Sequence, residues 1–485
     1  MISQFFFLLT VYVIGLLLTR WILGAQAPAL VVTLAFPLGL AAWVALAWVI
    51  LYVGFPYTAA IMQCVTGVLV LVLAALNIRR APLQRLESGW IALGSLGFIA
   101  LAWVADRVNC VLLSYDSFNF IQLGRAFGFD GGVTAGSWET LASWGVFQPI
   151  VQSVSVFVGL DYIYAVQPLM GVSLCGALCA LSYCGLRQLG VSGARRTGYS
   201  VLGALFVAST YFIVLQSFYI HTNLVSAVYL FLFCGLFWLG RARDRDELVI
   251  LGMGCLVPFT LCRTEAPLFA LMFLVPMLAD AKLSRRLKRV CLGSYSCFVL
   301  VWYAKLFMMI GAGSDILTRG KIAMLLLPLV GYTTVMLLPG KRRVEMIRGW
   351  LPELMLALLS LGLLVVVLLR RDHMASSFYS FTHNLVAHGL WGVTWIALIA
   401  LLALAVHTSR IPHDRIFAIA MPCFVLMLLC LAAARIPYRI GWGDSANRIL
   451  THLFPIVVFY LTMRFGNGVR CSETPGGSDQ TGRIF

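Results

Sequence analysis

Apolar runs of roughly twenty residues recur from one end of this 485-residue chain to the other, separated by short clusters rich in Arg, Lys, Gly and Pro. A helix needs about 20 such residues to cross the hydrocarbon core of a bilayer, and only helices or closed barrels satisfy their backbone polar groups there. With 61% of its residues hydrophobic the chain has too little polar surface for a soluble globule. The expected fold is all-α: a polytopic transmembrane helical bundle, which segments into about 15 spans by length and hydropathy. The first run, Phe5 to Leu18, lacks a basic leader and a small-residue cleavage site, so it reads as a spanning helix.

The formal charge of +16 raises the question of nucleic acid. Most of the 35 Lys and Arg, however, fall in short clusters between apolar runs, as at Arg79-Arg80, Arg285-Arg286 and Lys341-Arg342-Arg343, which is how basic residues set membrane orientation. No nucleic-acid partner is therefore expected. Placing those clusters in the cytoplasm puts two polar stretches on the opposite, outer face. One is Ser114-Tyr115-Asp116-Ser117 at the head of a long outer loop over 114–148; the other runs from Arg435 to Arg448 near the end of the chain.

Within the outer loop, Phe120, Leu123 and Phe127 recur at helical spacing behind a Ser/Asp start, the pattern of a helix lying on the membrane, and Asp130-Gly131-Gly132 ends it. A second interfacial helix is expected over Ser143 to Leu160. The chain divides into a three-helix N-terminal addition (1–88), a core (89–463) and a disordered cytoplasmic tail (464–485). His373, His383 and His388 fall in a segment read as a solvent-exposed outer loop, with no spacing that defines a metal site. The cysteines form no CxxC pair and read as small core hydrophobes.

Arginines on the outer face are informative, because positive charge is usually kept off that side and guanidinium suits phosphate. Arg439 and Arg448 form the densest such group, and a helix starting near Asp444 places Arg448 and His452 on one face with Asp444 as its cap or anion partner. Arg263-Thr264-Glu265 makes a tight polar turn between two apolar runs, where the Arg and Glu either pair or bind a ligand. Asp116, with Arg107 nearby in sequence, is the candidate general base, or alternatively the cap of the interfacial helix.

An Asp at the outer end of a helix (Asp116), a following interfacial helix, an Arg-x-Glu turn (Arg263, Glu265) and a late Arg-rich loop entering a helix with His and Pro (Arg448, His452, Pro455) resemble the GT-C superfamily of membrane glycosyltransferases. The resemblance implies sugar transfer from a polyprenyl-phosphate donor to a glycan, glycolipid or protein acceptor on the outer face, among membrane lipids; the compact loops and basic inner clusters point to a bacterial inner membrane, with an endoplasmic-reticulum membrane as the alternative. It implies Asp116 as catalytic carboxylate and Arg439, Arg448, His452 and Arg263 as holders of the donor phosphate. Arg107, Glu265, Asp444 and Arg435 would support them. Ser117 stands where the family carries a second acid, which leaves a divalent metal, Mg or Mn, open, and no metal ligand is assigned. A lipid-linked oligosaccharide polymerase or ligase, and a transporter or flippase, are the competing functions.

Overall fold

The computed structural model describes residues 4–24, 28–79, 85–280, 283–311, 318–338, 342–433 and 437–471. Among these the architecture is helical throughout. Four helices open the chain: α1 (Gln4–Leu23), α2 (Pro28–Val53), α3 (Ala59–Ile78) and α4 (Arg85–Arg107). The first two cross so closely that a Cβ on Gly15 would lie 1.6 Å from the Ala35 carbonyl oxygen, and one on Gly39 would lie 1.9 Å from that of Val11. Small residues at such crossings let backbones approach where no hydrophobic force separates helix from lipid.

The loop segment forms three short helices, α5 (Tyr115–Asp130), α6 (Ser137–Trp144) and α7 (Phe147–Val158). Ser114 caps α5 by accepting from the Ser117 amide, and Gly131 ends it at φ +65°. The second interfacial helix expected over Ser143 to Leu160 is α7, which starts four residues later because Gly145 (φ +80°) ends α6 and turns the chain. A side chain at Gly145 would collide with the Cys262 carbonyl, 2.4 Å from its Cβ. That close approach lets the Val146 amide bond Leu261 O at 2.8 Å, pinning this segment to the Arg263 turn.

The remainder comprises α8 (Val166–Gln188), α9 (Gly193–Ser209), α10 (Tyr211–Ser217), α11 (Thr222–Ala242), α12 (Asp246–Gly254), α13 (Leu256–Cys262), α14 (Ala266–Leu278), α15 (Arg285–Ile310), α16 (Arg319–Leu337), α17 (Arg342–Leu369), α18 (Arg371–His383), α19 (Thr394–Ala405), α20 (Asp414–Ala432) and α21 (Ser445–Cys471). Eleven helices among the described residues are long and apolar enough to span a membrane, or twelve if α9 and α10, bent by 70° at Thr210, count as one. The protein is an integral membrane protein, and these helices correspond to eleven or twelve of the roughly fifteen apolar runs. Ala266–Leu278 and Thr394–Ala405 have 13 and 12 residues, too short to cross, and the run at 248–262 breaks between α12 and α13.

α11 and α21 form the centre. The most apolar stretch of α11 is wholly buried and that of α21 is 94% buried, whereas those of α3 and α17 lie largely on the outside. A helix apolar all round belongs inside a bundle, and these two pack against each other. The segment from Arg371 to Gly389 is not the solvent-exposed loop its histidines suggested. It is α18 followed by a π-helical turn, Asn384–His388. Backbone carbonyls of the α20 terminus hold it, accepting from Arg370 (Ala433 O, 2.7 Å) and lying 2.9 Å from His373 Nε2 (Ala432 O).

Candidate functional site

Three helix N-termini meet at one end of the bundle. Asp116 lies in the first turn of α5, His221 caps α11, and Arg448 lies in the first turns of α21. The partial positive charge of each N-terminus favours anions at their meeting point. Local pairing brings them together: the Leu112 amide bonds Phe218 O at 2.7 Å, and Ser117 Oγ donates to Ile220 O at 3.1 Å. This lays residues 218–221 alongside the entry to α5, so that Tyr219 and His221 stand over Asp116.

Arg448 Nη1 donates to Asp116 Oδ2 at 2.5 Å, across 332 residues of sequence. Tyr219 Oη, 2.7 Å from Ser114 Oγ, donates to the same oxygen at 3.4 Å. His221 Nε2 lies 3.6 Å from Asp116 Oδ2 and 3.0 Å from Arg448 Nη1. On its other side, the Asn223 amide points at His221 Nδ1 from 3.3 Å. A neutral imidazole has one acceptor nitrogen: Nδ1 accepts from the Asn223 amide as the cap of α11, which leaves the Nε2 proton on the side of Asp116. Since Ser114 caps the helix, Asp116 is released from that role.

Burial pushes the Asp116 carboxyl up, but hydrogen bonds and charge from His221 and Arg448 outweigh it and hold the group well below the usual carboxylate range. Burial first, and then the Arg448 charge, push His221 down to about 3. His221 is therefore neutral at pH 7, and Arg448 is the counter-charge to Asp116. A sign follows for stability. Below about pH 6.5 the unfolded chain binds a proton at His221 that the folded chain refuses, so acid favours unfolding, with a slope approaching about 1.4 kcal/mol per pH unit. His221→Gln is expected to lose less melting temperature than wild type between pH 7 and 4.5. Parallel melting curves would show that His221 does not carry this term.

Arg448 has a second exposure. With Arg439, Lys321, Asp444, Ser445 and residues 437–441 it lines a cleft of about 880 Å³. Asp444 holds the rim, accepting from the Arg439 amide at 2.9 Å through Oδ2 and from the Ala446 amide at 2.9 Å through Oδ1, as a cap of α21. Beside the cleft, Leu300 and Phe307 of α15 with Ile322, Leu326, Leu327 and Val330 of α16 line an apolar groove of about 320 Å³, starting one residue after Lys321. A further apolar cavity of about 660 Å³, between α1, α3 and α7, is lined by none of the site residues.

Other residues singled out in the sequence lie elsewhere. His452 does not reach the cleft: it is fully buried, with its ring 5.9 Å from that of Phe259. Arg263 Nη2 pairs with Glu265 Oε1 at 2.7 Å, and its Nη1 donates to Asn223 Oδ1 at 3.1 Å. Arg263 and Glu265 thus support the His221 segment from below and do not line the cleft. Arg107 ends α4, and the groups that set the Asp116 charge are His221 and Arg448 in its place. Arg435 lies outside the described residues. His221 and Tyr219 were not identified from sequence, though the polar run His221-Thr222-Asn223 interrupts two apolar stretches. Among the described residues no group of three or more His, Cys, Asp or Glu is placed to hold a metal. No protein-family model, curated protein or solved structure matches the chain.

Proposed function

We propose that the protein is an integral-membrane glycosyltransferase that moves a sugar from a polyprenyl-phosphate donor to an acceptor hydroxyl, with the cleft facing the periplasm of a bacterial inner membrane. One observation carries the reading. Arg448 bonds the Asp116 carboxylate and also lines a cleft that holds Arg439 and Lys321. A carboxylate beside a cationic cleft supplies a proton acceptor and a phosphate seat within one side chain of each other. The apolar groove along α15 and α16 favours a lipid-linked donor over a soluble one, since it would take the first isoprenoid units as the phosphate sits beside Lys321.

Donor binding draws the Arg448 guanidinium toward the phosphate and loosens its hold on Asp116. Without that partner the half-buried carboxylate becomes more basic, and so the base is switched on by the donor. Asp116 then removes the proton from the acceptor hydroxyl as its oxygen attacks the anomeric carbon. The sugar–phosphate C–O bond breaks, and polyprenyl phosphate leaves with its electron pair, its developing charge stabilised by Arg448, while Arg439 and Lys321 hold the phosphate in ground and transition states alike. Inversion at the anomeric carbon is expected.

The test is transfer of labelled sugar from a synthetic polyprenyl-phosphate sugar by the purified protein in lipid. Arg439→Gln, which removes an exposed cation from the cleft, is expected to raise the donor KM about tenfold with kcat little changed, the mark of ground-state binding. A wild-type protein that binds this lipid or carries it across the bilayer without transferring sugar would be a flippase, and the proposal would fall.

A further inference from the structure

The π-helical turn Asn384–His388 is the irregular feature that the transferase reading leaves unused. Wide turns of this kind are rare and concentrate at functional sites. In a regular helix of 3.6 residues per turn, residues five apart point in widely different directions. Here the Gly389 amide closes the turn on Asn384 O at 3.0 Å, and the widening brings residues five apart onto one face. The pair so aligned is His383 and His388, with ring centroids 5.7 Å apart and planes tilted by 31°. His388 is exposed and His383 half-buried against Tyr379, 4.3 Å between centroids.

Two imidazoles that share one metal ion through nitrogens at about 2.0–2.1 Å have ring centroids roughly 4.5–6 Å apart. The observed separation falls in that range. The same turn also holds the cleft rim, because Asn384 Nδ2 donates to Arg439 O at 2.8 Å and Asn384 Oδ1 accepts from the Gly441 amide at 2.7 Å.

We propose that His383 and His388 form a two-histidine site for a divalent transition-metal ion on the rim of the cleft. Neutral imidazoles suit ions such as Ni²⁺, Cu²⁺ and Zn²⁺, while Mg²⁺ requires oxygen ligands and is not held. Water fills the remaining coordination positions. The site stands independently of the transferase reading, since it rests on the turn alone.

The experiment uses the full chain, purified by a tag without histidine, in lipid nanodiscs and without donor. Ni²⁺ is titrated calorimetrically at pH 7.5, with Mg²⁺ as the contrasting ion and His407→Ala, an exposed histidine outside the turn, as the control. One Ni²⁺ per chain is expected, bound at least tenfold more weakly by His383→Ala and by His388→Ala and unaffected in His407→Ala. If His383→Ala misfolds, His388→Ala is decisive, because that side chain is exposed. Ni²⁺ binding by His388→Ala equal to wild type, or equal binding of Mg²⁺, would overturn the proposal.

Discussion

Asp116→Asn is expected to lower kcat for sugar transfer by about a thousandfold while the donor KM falls. General-base catalysis contributes roughly 10²–10⁴ in rate, and an amide cannot accept the proton. The change in KM has a separate cause. In the wild type, the donor phosphate must compete with Asp116 for Arg448, which bonds the carboxylate at 2.5 Å with both side chains mostly buried. Asparagine removes the competitor and leaves a guanidinium without its counter-charge, so the phosphate binds more tightly. Breaking such a pair destabilises the empty protein by roughly 3–5 kcal/mol, and added donor should recover much of the lost melting temperature. A purely structural role for Asp116 predicts the opposite pattern: lower stability, a raised KM and turnover close to normal in whatever fraction folds. Wild-type turnover in a folded Asp116→Asn protein would remove the base and strengthen the polymerase reading, which does without a carboxylate.

The bundle was legible because its physics is one-dimensional: apolar length sets the long helices. Runs such as Ala266–Leu278 have the hydropathy of a span but form a helix of 13 residues, shorter than the roughly 20 that cross a bilayer. The two halves of the site were legible for a related reason. A carboxylate at Asp116 and a guanidinium at Arg448 interrupt apolar helices and are costly there unless they have a partner or a ligand. Their direct contact could not be read, since no local rule relates residues 332 positions apart.

His221 was missed because a lone histidine between spans carries no signal until residues 112 and 218 pair. His452 was overread. Spacing of four correctly puts it on the Arg448 face, but four residues are also about 6 Å deeper along the helix, enough to pass from the cleft into the core. Likewise, Arg263 and Glu265 formed the internal pair that was the simpler of their two sequence readings.

Arg448→Met gives the second large effect and tests how the carboxylate and the cleft are coupled. Loss of phosphate binding and of leaving-group stabilisation is expected to cut kcat/KM by at least a hundredfold. The sharper readout is the pH profile. In the wild type, hydrogen bonds and charge from Arg448 and His221 override burial and keep Asp116 ionised far into acid. The pH profile of kcat/KM, which reports the free enzyme, should therefore show no acid limb from this group at ordinary pH. Without Arg448, burial is opposed by less, and the Asp116 carboxyl rises. A base must be ionised to act, so residual kcat/KM in Arg448→Met should fall with decreasing pH through an acid limb that wild type lacks. Arg448→Lys retains a charge but not the fork that reaches carboxylate and phosphate together, so its losses should be intermediate. Because both residues serve one step, Asp116→Asn combined with Arg448→Met should cost little more than the worse single change. Multiplying losses in the double variant would mean that the two act separately, and that the contact between them only holds α5 against α21.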